Sequence, residues 1–472
     1  MALPQPKDLT HHLSEPARRR KANCYKLFYN YYSIPQLQDI SGGYPYPSLF
    51  ALHEISGTGR VPHQLDGPGA ETVSFTSSRN DIDVGMQYSQ IEGMPQMDKW
   101  IKEFTQASLD ECPYEGGFAT LQTTGNTDGW VKVLQVFTNE WRSYDPIERR
   151  ESILCERFTF QCATEAANVR GHNVIGVNMD KFGIIPEELE RILETWDATK
   201  GKKPHLLYTI SIGQNPTGVT VPLERRKKIY EICCKHDLLI IEDEPYWFLQ
   251  YGEERTKCYL AMDVEGRVIR LDSFSKSFAP GTRMGWVTAQ PELLKRIFYL
   301  SEEATQAPAG PSQILVSKTL MAWGVDGWLQ WLGTLRNEYK ARRDLMLGGI
   351  EKYHTKNGVR ILEYEPPSGG MFLWSKVRFD YHPLAEKITK LELSRALWIW
   401  CTEQPRPTLV NPGYMLSCDE DPANSAEYFR FSFAPTSKEA IVPAIESFGM
   451  KLQSFWDLDE ATIRKLAASF PQ

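Results

Sequence analysis

The middle of the chain alternates short apolar runs with segments whose apolar residues recur at helical spacing. The apolar runs predict strands at residues 119–124, 153–156, 174–177, 206–212, 238–241, 268–271 and 284–288. The helical spacing predicts helices at about 124–137 and at 223–235. Because strands that alternate with helices form largely parallel sheets, this pattern predicts an α/β fold whose ligands collect at the carboxyl ends of the strands.

The pattern changes after residue 310. The spacing predicts a long helix at 311–351 with a break at Gly324–Gly327, and its second part is long enough to bridge two domains. A small α+β domain is then predicted from strands at 360–364, 370–374, 408–410 and 429–433 and helices at 390–402 and after Pro435. We therefore expect an N-terminal arm and substrate loop at 1–60, a large domain at 61–327, and the bridging helix with the small domain at 328–472.

The N-terminal residues predict no domain of their own. A basic amphipathic segment from Leu13 to Tyr32 is expected to pack against other parts of the chain or against another subunit. Gly42 and Gly43 precede a proline-rich turn, and paired glycines let the backbone pass close to a ligand because no Cβ intervenes. A simple turn is the alternative there. Residues 57–85 are rich in Gly, Ser and Asp and predict a loop or a poorly ordered crossover.

Composition and charge argue against several classes of function. A net charge of −7 with both signs mixed along the sequence gives no basic stripe, which argues against nucleic acid as a partner. No apolar run is long enough to span a bilayer, and the polar first thirty residues contain no signal core. The nine cysteines show no framework spacing and predict reduced thiols in the cytoplasm. Cys233, Cys234 and His236 lack a second pair of ligands, so no metal site is expected.

The stretch from Asp272 to Arg283 carries the strongest chemical signal. Lys276 lies among small hydroxyl residues, with Arg283 close behind. A lysine amine in this setting can form an imine with an aldehyde cofactor, while the hydroxyls of Ser273 and Ser275 and the guanidinium of Arg283 hold the cofactor's phosphate. A solvated loop lysine is the alternative, so the rest of the chain must supply the other parts of such a site.

The aldehyde cofactor pyridoxal 5′-phosphate (PLP) needs further contacts, and the strand ends offer them. Asp243 follows an apolar strand and can pair with the protonated pyridine nitrogen, whereas strand alternation turns Glu242 and Glu244 to the other face. The helix start at Asn126 and Thr127 offers free N–H groups to the phosphate. An exposed acidic turn and an ordinary helix cap are the alternatives.

The cofactor ring and the substrate also need contacts. Phe160 can stack on the ring, and Asn215 and Tyr246 can reach its O3′ oxygen. Arg430 stands inside the apolar strand at 429–433, and its guanidinium can bind a substrate carboxylate through two parallel hydrogen bonds. A core phenylalanine and a half-buried structural ion pair are the alternatives at these positions.

Several motifs together resemble the fold type I aminotransferases. They are Asn215-Pro216-Thr217-Gly218, Asp243-Glu244-Pro245-Tyr246, Ser273-Phe274-Ser275-Lys276, Pro280-Gly281-Thr282-Arg283 and Phe429-Arg430. From about Leu9 to its end, the chain is most similar to the aromatic amino-acid and aminoadipate/kynurenine group, especially its fungal members. The resemblance implies PLP as cofactor, a homodimer with active sites at the subunit interface, and a small domain that closes on the substrate.

The resemblance also implies a role for each matching residue. Lys276 forms the imine and acts as general base, and Asp243 and Tyr246 complete the catalytic set. Cofactor binding is implied for Asn126, Thr127, Phe160, Asn215, Ser273, Ser275, Arg283 and, from the neighbouring subunit, Tyr88. Substrate binding is implied for Gly43, Asn215 and Arg430.

Two positions depart from the pattern of this group. Gly43-Tyr44-Pro45-Tyr46 stands where the group usually has Gly-Gly-Leu-Pro, and Phe160 stands where a tyrosine often stacks on the ring. Cofactor binding is expected to survive both changes. Tyr44 and Tyr46 would reshape the entrance of the substrate pocket, which leaves a dedicated biosynthetic role open.

Three classes of function follow from these residues. The leading hypothesis is transamination of a large, aromatic L-amino acid with 2-oxoglutarate or another 2-oxo acid. A PLP-dependent carbon–sulfur β-lyase is the alternative, because fold and cofactor do not decide the outcome of the reaction. A non-catalytic PLP-binding regulator would need a DNA-binding module, and roughly 40 residues before Gly42 are too few to form one.

Overall fold

In a computed structural model of the chain, the described residues are 3–23, 34–36, 43–65, 67, 69–109, 112–252 and 254–471. Two parts of the N-terminal predictions lie outside them, namely residues 24–32 of the amphipathic segment and residues 39–42 of the glycine turn. The described start of the segment packs on the main hydrophobic core through Leu13 and Ala17, which are both buried.

The strands predicted in the middle of the chain are confirmed, with ends that shift by up to three residues. The structure shows β1 (Ser56–Arg60), β2 (Thr72–Thr76), β3 (Ala119–Thr123), β4 (Ser152–Glu156), β5 (Asn173–Val177), β6 (Met179–Asp180), β7 (Gly183–Ile184), β8 (Leu206–Thr209), β9 (Leu239–Asp243), β10 (Val268–Ser273), β11 (Gly285–Ala289), β12 (Thr355–Lys356), β13 (Val359–Arg360), β14 (Leu362–Tyr364), β15 (Phe372–Val377), β16 (Asn411–Pro412) and β17 (Tyr428–Ser432).

Seven of these strands form the central sheet in the order β3-β11-β10-β9-β8-β4-β5. The five strands from β10 to β5 are parallel, and β11 is antiparallel to both β10 and β3. Strands such as β9 are buried throughout, as expected of a parallel sheet covered on both faces. The predicted α/β fold is confirmed, and the carboxyl ends of β4, β8, β9 and β10 share one edge of the sheet.

The predicted helices at 124–137, 223–235 and 390–402 are also confirmed. The structure shows α1 (Glu15–Arg19), α2 (Arg79–Gly85), α3 (Pro95–Leu109), α4 (Asn126–Phe137), α5 (Gln161–Asn168), α6 (Pro186–Glu194), α7 (Leu223–Lys235), α8 (Pro291–Glu303), α9 (Gly310–Ile350), α10 (Lys390–Thr402), α11 (Lys438–Phe455) and α12 (Glu460–Ala468). Within the part of the chain that the structure describes, none of these helices has both the length and the apolar character that a bilayer crossing requires.

The second sheet has the order β14-β15-β17-β16 and is antiparallel. In β17, Phe429 and Phe431 are buried in a separate hydrophobic cluster with residues of α10, α11 and α12. Because side chains alternate along a strand, Arg430 points to the opposite face. That face turns toward the central sheet, where Arg430 meets the loop after β8.

The long helix α9 connects the two sheets. Ile314 and Trp328 belong to the main hydrophobic core, whereas Met346 and Ile350 belong to the cluster beneath the second sheet. The helix is interrupted at Gly324, whose φ of 67° and ψ of 177° are not helical. Both the helix and its break therefore agree with the sequence prediction.

The predicted loop at 57–85 is wrong at both of its ends. Strands β1 and β2 pair as an antiparallel hairpin, and α2 begins with a capping box formed by Ser78 and Asp81. Position 57 of this hairpin is occupied by glycine because a Cβ there would lie 2.7 Å from the ring of Phe75 on the facing strand. One of the glycines that suggested a loop, Gly57, instead makes room for an aromatic side chain.

The predicted strand at 408–410 is also wrong. The backbone N–H of Thr408 donates to the carbonyl of Cys401 at 2.7 Å and closes the turn after α10. Pairing with β17 begins only at Asn411.

Candidate active site

Lys276 lies in the turn that directly follows β10, at the shared edge of the central sheet. Phe274 fixes this turn, because its side chain is fully buried and packs on Trp286 and Trp328 with ring centroids 5.0 and 5.7 Å away. Its carbonyl also accepts the N–H of Phe278 at 2.8 Å. The anchored turn presents Lys276, two residues along, to the open cleft, where its side chain is exposed.

The hydroxyls and the guanidinium predicted to bind phosphate lie together beside this turn. Ser273 Oγ donates to Ser275 Oγ at 2.9 Å, and Arg283 Nη1 lies 3.4 Å from Ser275 Oγ. Arg283 Nη2 donates to the carbonyl of Thr124 at 2.8 Å, directly before α4. Three separate parts of the chain thus converge on one electropositive hollow.

The start of α4 forms the second wall of this hollow. Gly125 is the N-cap residue, with a φ of 114° and no capping side chain. No side chain therefore caps the N–H groups of the first turn, at Asn126 and Thr127. An uncapped helix start of this kind is a favourable site for an anion. A Cβ at Gly125 would lie 2.8 Å from Arg283 Nη2, so only glycine lets the guanidinium come this close.

Asp243 ends β9 and is buried beside the start of α4. Its carboxylate accepts hydrogen bonds from Asn126 Nδ2, at 2.6 Å, and from the hydroxyl of Tyr208. Burial raises the pKa of Asp243 to about 6, while both hydrogen bonds lower it and the charge of Asp272 raises it slightly. The carboxyl group is therefore held where a neighbouring cation would strongly favour its charged form.

The neighbouring acids face the other way, as strand alternation predicts. Glu242 accepts the backbone N–H of Tyr259 at 2.7 Å, and Ser211 Oγ donates to Glu244. All three acids of this segment are buried, so the alternative of an exposed acidic turn is wrong. Burial and the charge of Glu242 raise the pKa of Glu244 to about 8.

Arg430 reaches the site from the second sheet. Its Nη1 donates to Asn215 Oδ1 at 2.7 Å, and its guanidinium lies 4.5 Å from the ring centroid of Phe372. Asn215 lies in the loop after β8. A hydrogen bond from Thr217 N to Gln214 Oε1, at 2.8 Å, stabilises this loop. Burial lowers the pKa of Arg430, which nevertheless stays charged because an arginine pKa lies far above neutrality.

The charged groups of the site act on one another. Partial burial lowers the pKa of Lys276, and the charges of Arg430 and Arg283 lower it further. Burial and the charge of Asp243 raise the pKa of Tyr246, which Arg430 opposes. Tyr246 is 4% exposed and its ring meets Phe372 edge to face at 5.8 Å. The structure thus brings most of the predicted residues together around one cleft.

Three predicted residues lie at the margin of this group. Phe160 is half-buried directly before α5 and packs against the main core. Tyr88 is 64% exposed, and no heavy atom lies within 4 Å of a Cβ built on Gly43. Their roles toward cofactor and substrate stay predictions.

The sequence prediction missed Tyr208 and the side-chain contacts of Asn126. Tyr208 was counted only as part of an apolar strand, although a buried tyrosine hydroxyl needs a hydrogen-bond partner and so signals a nearby acceptor. Asn126 directs its side-chain amide to Asp243 and to the carbonyl of Leu271, at 3.0 Å, rather than toward the phosphate hollow. Only its backbone N–H remains at the helix start.

The residues present fit PLP. The hollow beside Arg283 suits a dianionic phosphate, and Gly125 lacks the Cβ that would displace the Arg283 guanidinium from it. The buried carboxyl of Asp243 has two neutral hydrogen-bond donors and suits a protonated ring nitrogen. Lys276 offers an amine within range of the charges of Arg283 and Arg430. A lysine, a buried acid and a phosphate hollow at the carboxyl edge of a mostly parallel sheet define a PLP-dependent enzyme of fold type I.

Comparison with known proteins identifies the family. Residues 83–448 match the family described as aminotransferase class I and II. The chain is 36% identical to an aromatic amino acid aminotransferase of Schizosaccharomyces pombe, over 95% of this chain and 98% of the relative. The chain therefore belongs to the class I and II aminotransferases, which confirms the predicted class of enzyme and its cofactor, PLP.

Two further proteins are similar over much of their length. The crystal structure of aminotransferase Aro8 from Candida albicans has a TM-score of 0.85 and 32% identity, and the match covers 96% of this chain and all of that one. An L-tyrosine:2-oxoglutarate aminotransferase of Tapinella panuoides is 34% identical over 80% of this chain and 76% of the relative. These relatives bear out the resemblance to fungal aromatic aminotransferases.

Proposed function

We propose that the chain transfers the amino group of a large aromatic L-amino acid to a 2-oxo acid such as 2-oxoglutarate. The observation that carries this proposal is that Lys276 lies close enough to two arginines for both charges to lower its pKa, with Arg283 beside Ser275 and Arg430 bound to Asn215. The names of the fungal relatives support aromatic donors and 2-oxoglutarate as acceptor. Those relatives are aminotransferases, which favours transamination over the β-lyase alternative.

Each residue has a proposed task. Ser273, Ser275, Arg283 and the first turn of α4 bind the phosphate, and Asp243 keeps a proton on the ring nitrogen. Asn215 and Tyr246 bind the O3′ oxygen, and Phe160 covers one ring face. Arg430 holds the substrate carboxylate, because its planar guanidinium fits two carboxylate oxygens at once.

Bound PLP supplies an aldehyde that takes up the substrate amine and a ring that withdraws electrons from the substrate's α-carbon. Lys276 then acts as the base that removes the α-proton and delivers a proton to the cofactor's C4′ atom. Its lowered pKa increases the fraction of neutral amine near neutral pH, which is the form that accepts a proton. Arg430 keeps the α-carbon within reach of that amine.

The proposal extends to the arrangement of the whole protein. We infer a large domain at 61–327 and a small domain after 328, because the two sheets have separate hydrophobic clusters. A homodimer would complete the open side of the cleft, with Tyr88 reaching the partner's phosphate. A cytoplasmic location agrees with eight described cysteines that are all free thiols.

Peptide mass spectrometry tests the central assignment. After reduction of the holoenzyme with borohydride, we expect the phosphopyridoxyl group on the peptide that contains Lys276. Lys276→Ala should fold and retain PLP without a covalent bond, and its turnover should fall by at least about 10³-fold because the base is lost. Label on another lysine, or normal turnover of the variant, would disprove the assignment.

A panel of donors tests the substrate class in the same preparation. With 2-oxoglutarate as acceptor, L-Tyr, L-Phe and L-Trp should give kcat/KM values at least about tenfold above those of L-Asp and L-Ala, a difference of about 1.4 kcal/mol. A β-thio-substituted amino acid without acceptor should release no pyruvate. Release of pyruvate and thiol would instead establish the lyase.

A further inference from the structure

Two cysteine thiols meet where the central sheet contacts the segment that connects β16 and β17 of the second sheet. Cys155 lies on β4 and Cys418 follows the 3-10 helix Gly413–Leu416, 263 positions further along the chain. Their Sγ atoms are 3.3 Å apart. Each thiol also lies near a carbonyl, Ile175 O at 3.8 Å for Cys155 and Glu156 O at 3.7 Å for Cys418.

The backbone holds Cys418 in this position. Residues 416–419 run alongside residues 157–159, where Thr159 N donates to Leu416 O at 2.9 Å and Cys418 N donates to Arg157 O at 2.8 Å. Arg157 also binds both carboxylate oxygens of Asp419, with Nη2 to Oδ2 at 2.7 Å. The contact between the thiols therefore belongs to an ordered junction of two chain segments.

Gly176 provides the space that Cys418 occupies. Gly176 lies on β5 and pairs with Cys155 on the neighbouring strand β4. A Cβ at Gly176 would lie 2.9 Å from the Cβ of Cys418 and 2.9 Å from the Cα of Arg157. Any larger residue there would push Cys418 away from Cys155, so the missing side chain is what lets the two sulfur atoms approach each other.

We propose that Cys155 and Cys418 are a site of oxidative modification, at which mild two-electron oxidants such as hydrogen peroxide join the two thiols in a reversible disulfide. The sulfur atoms need to approach by only about 1.3 Å from their present distance to reach a bond of about 2.05 Å. The residues are separate from the proposed cofactor and substrate contacts, so this site goes beyond the proposed aminotransferase function.

The chemistry balances with peroxide as the only oxidant. Cys418 is the more accessible thiol, and its sulfur attacks one peroxide oxygen to give a sulfenic acid and one water. The thiol of Cys155 then attacks that sulfur, forms the S–S bond and expels the hydroxyl, with the thiol proton, as a second water. The hydrogen bond with Cys418 and burial raise the pKa of Cys155, so this second step is slow.

The test oxidises the PLP-loaded enzyme with hydrogen peroxide and maps its disulfides by mass spectrometry of non-reduced peptides. We expect a linked Cys155–Cys418 peptide, the loss of two titratable thiols from this pair, and full reversal by dithiothreitol. Because the bond closes a very long loop, Tm should rise by at least about 4 °C. The variant Cys162→Ser is the matched control, since Cys162 is an exposed thiol only seven positions after Cys155 and should not affect the linkage.

Cys418→Ser and Cys155→Ala should each abolish both the linked peptide and the shift in Tm. Cys418 is only half-buried, so its variant keeps the test valid if the change at the buried Cys155 impairs folding. The proposal is overturned if Cys162 is oxidised while the Cys155–Cys418 pair stays reduced, or if either sulfur is found linked to another cysteine. Loss of aminotransferase activity is not a readout, so failure of this proposal is distinguishable from failure of the proposed function.

Discussion

At the scale of single residues, Asp243 shows two opposing effects. Burial raises the pKa of its carboxyl group to about 6, although the proposed role requires a carboxylate. The hydroxyl of Tyr208 and the amide of Asn126 both donate to it and favour the charged form. These two donors, together with the protonated ring nitrogen proposed to bind beside them, would allow a buried acid to stay ionised near neutral pH.

Replacing Tyr208 by Phe should weaken PLP binding in a pH-dependent way. The change removes a donor, so the pKa of Asp243 rises further above its ordinary value and the carboxyl group is protonated over a wider pH range. The defect in the Kd for PLP should therefore be largest near pH 6, and smaller near pH 8.5, where the carboxyl is ionised in both proteins. Loss of one hydrogen bond to a charged group predicts a cost of about 1.5–3 kcal/mol.

Titration of the apo-protein with PLP at both pH values measures this effect. Tyr230→Phe is the matched control, because the buried hydroxyl of Tyr230 also donates to a carboxylate, Asp263 Oδ1 at 2.9 Å, away from the cleft. It should lower stability without changing the Kd. Equal defects of the Tyr208 variant at both pH values would contradict the proposed control of the Asp243 pKa.

At the scale of elements, the junction between β3 and α4 depends on one glycine. Gly125 has φ 114° and ψ 172°, a backbone conformation open to glycine and costly for other residues. Its missing Cβ also admits Arg283. The uncapped helix start and the guanidinium then face the same hollow.

Replacing Gly125 by Ala should therefore cost about 1–3 kcal/mol in phosphate binding. A shift of the helix start or of Arg283 weakens the Kd for PLP by roughly 5- to 150-fold, which fluorescence titration measures. Gly348→Ala is the control, since this exposed glycine of α9 has open space around its Cβ position and a helical backbone. An unchanged Kd in the Gly125 variant would show that the hollow does not bind the phosphate.

The same elements show how far a sequence prediction can reach. Long periodic segments and apolar runs placed β9, β10 and α9 correctly, because burial on both faces leaves a strong apolar pattern. The hairpin of β1 and β2 was missed because its Gly57 is explained only by Phe75 on the facing strand. The contact of Tyr208 with Asp243 depends on which residues of β8 and β9 face each other, and tertiary pairing decides that register.

At the scale of the whole molecule, the cleft is open on one side. Lys276, Thr127 and Arg283 are exposed in the single chain, although a site that moves protons benefits from excluding water. Tyr88 presents a ring that is 64% exposed. A second subunit that brings its Tyr88 to this opening would close the cleft and add a hydroxyl donor for the phosphate.

Heterodimers with two different tags test this arrangement. One subunit carries Tyr88→Phe, which should weaken PLP binding by about 1.5–3 kcal/mol through loss of a hydrogen bond to a charged group. The other carries Lys276→Ala and has no activity of its own.

If Tyr88 serves the partner's site, each heterodimer holds one fully intact site, and at limiting PLP it should show about half of the wild-type activity. If Tyr88 instead serves its own subunit, the sole Lys276 shares a site with the substituted position 88. Activity would then stay at half of the Tyr88→Phe level, and this result, or a monomer in size-exclusion chromatography, would contradict the shared site.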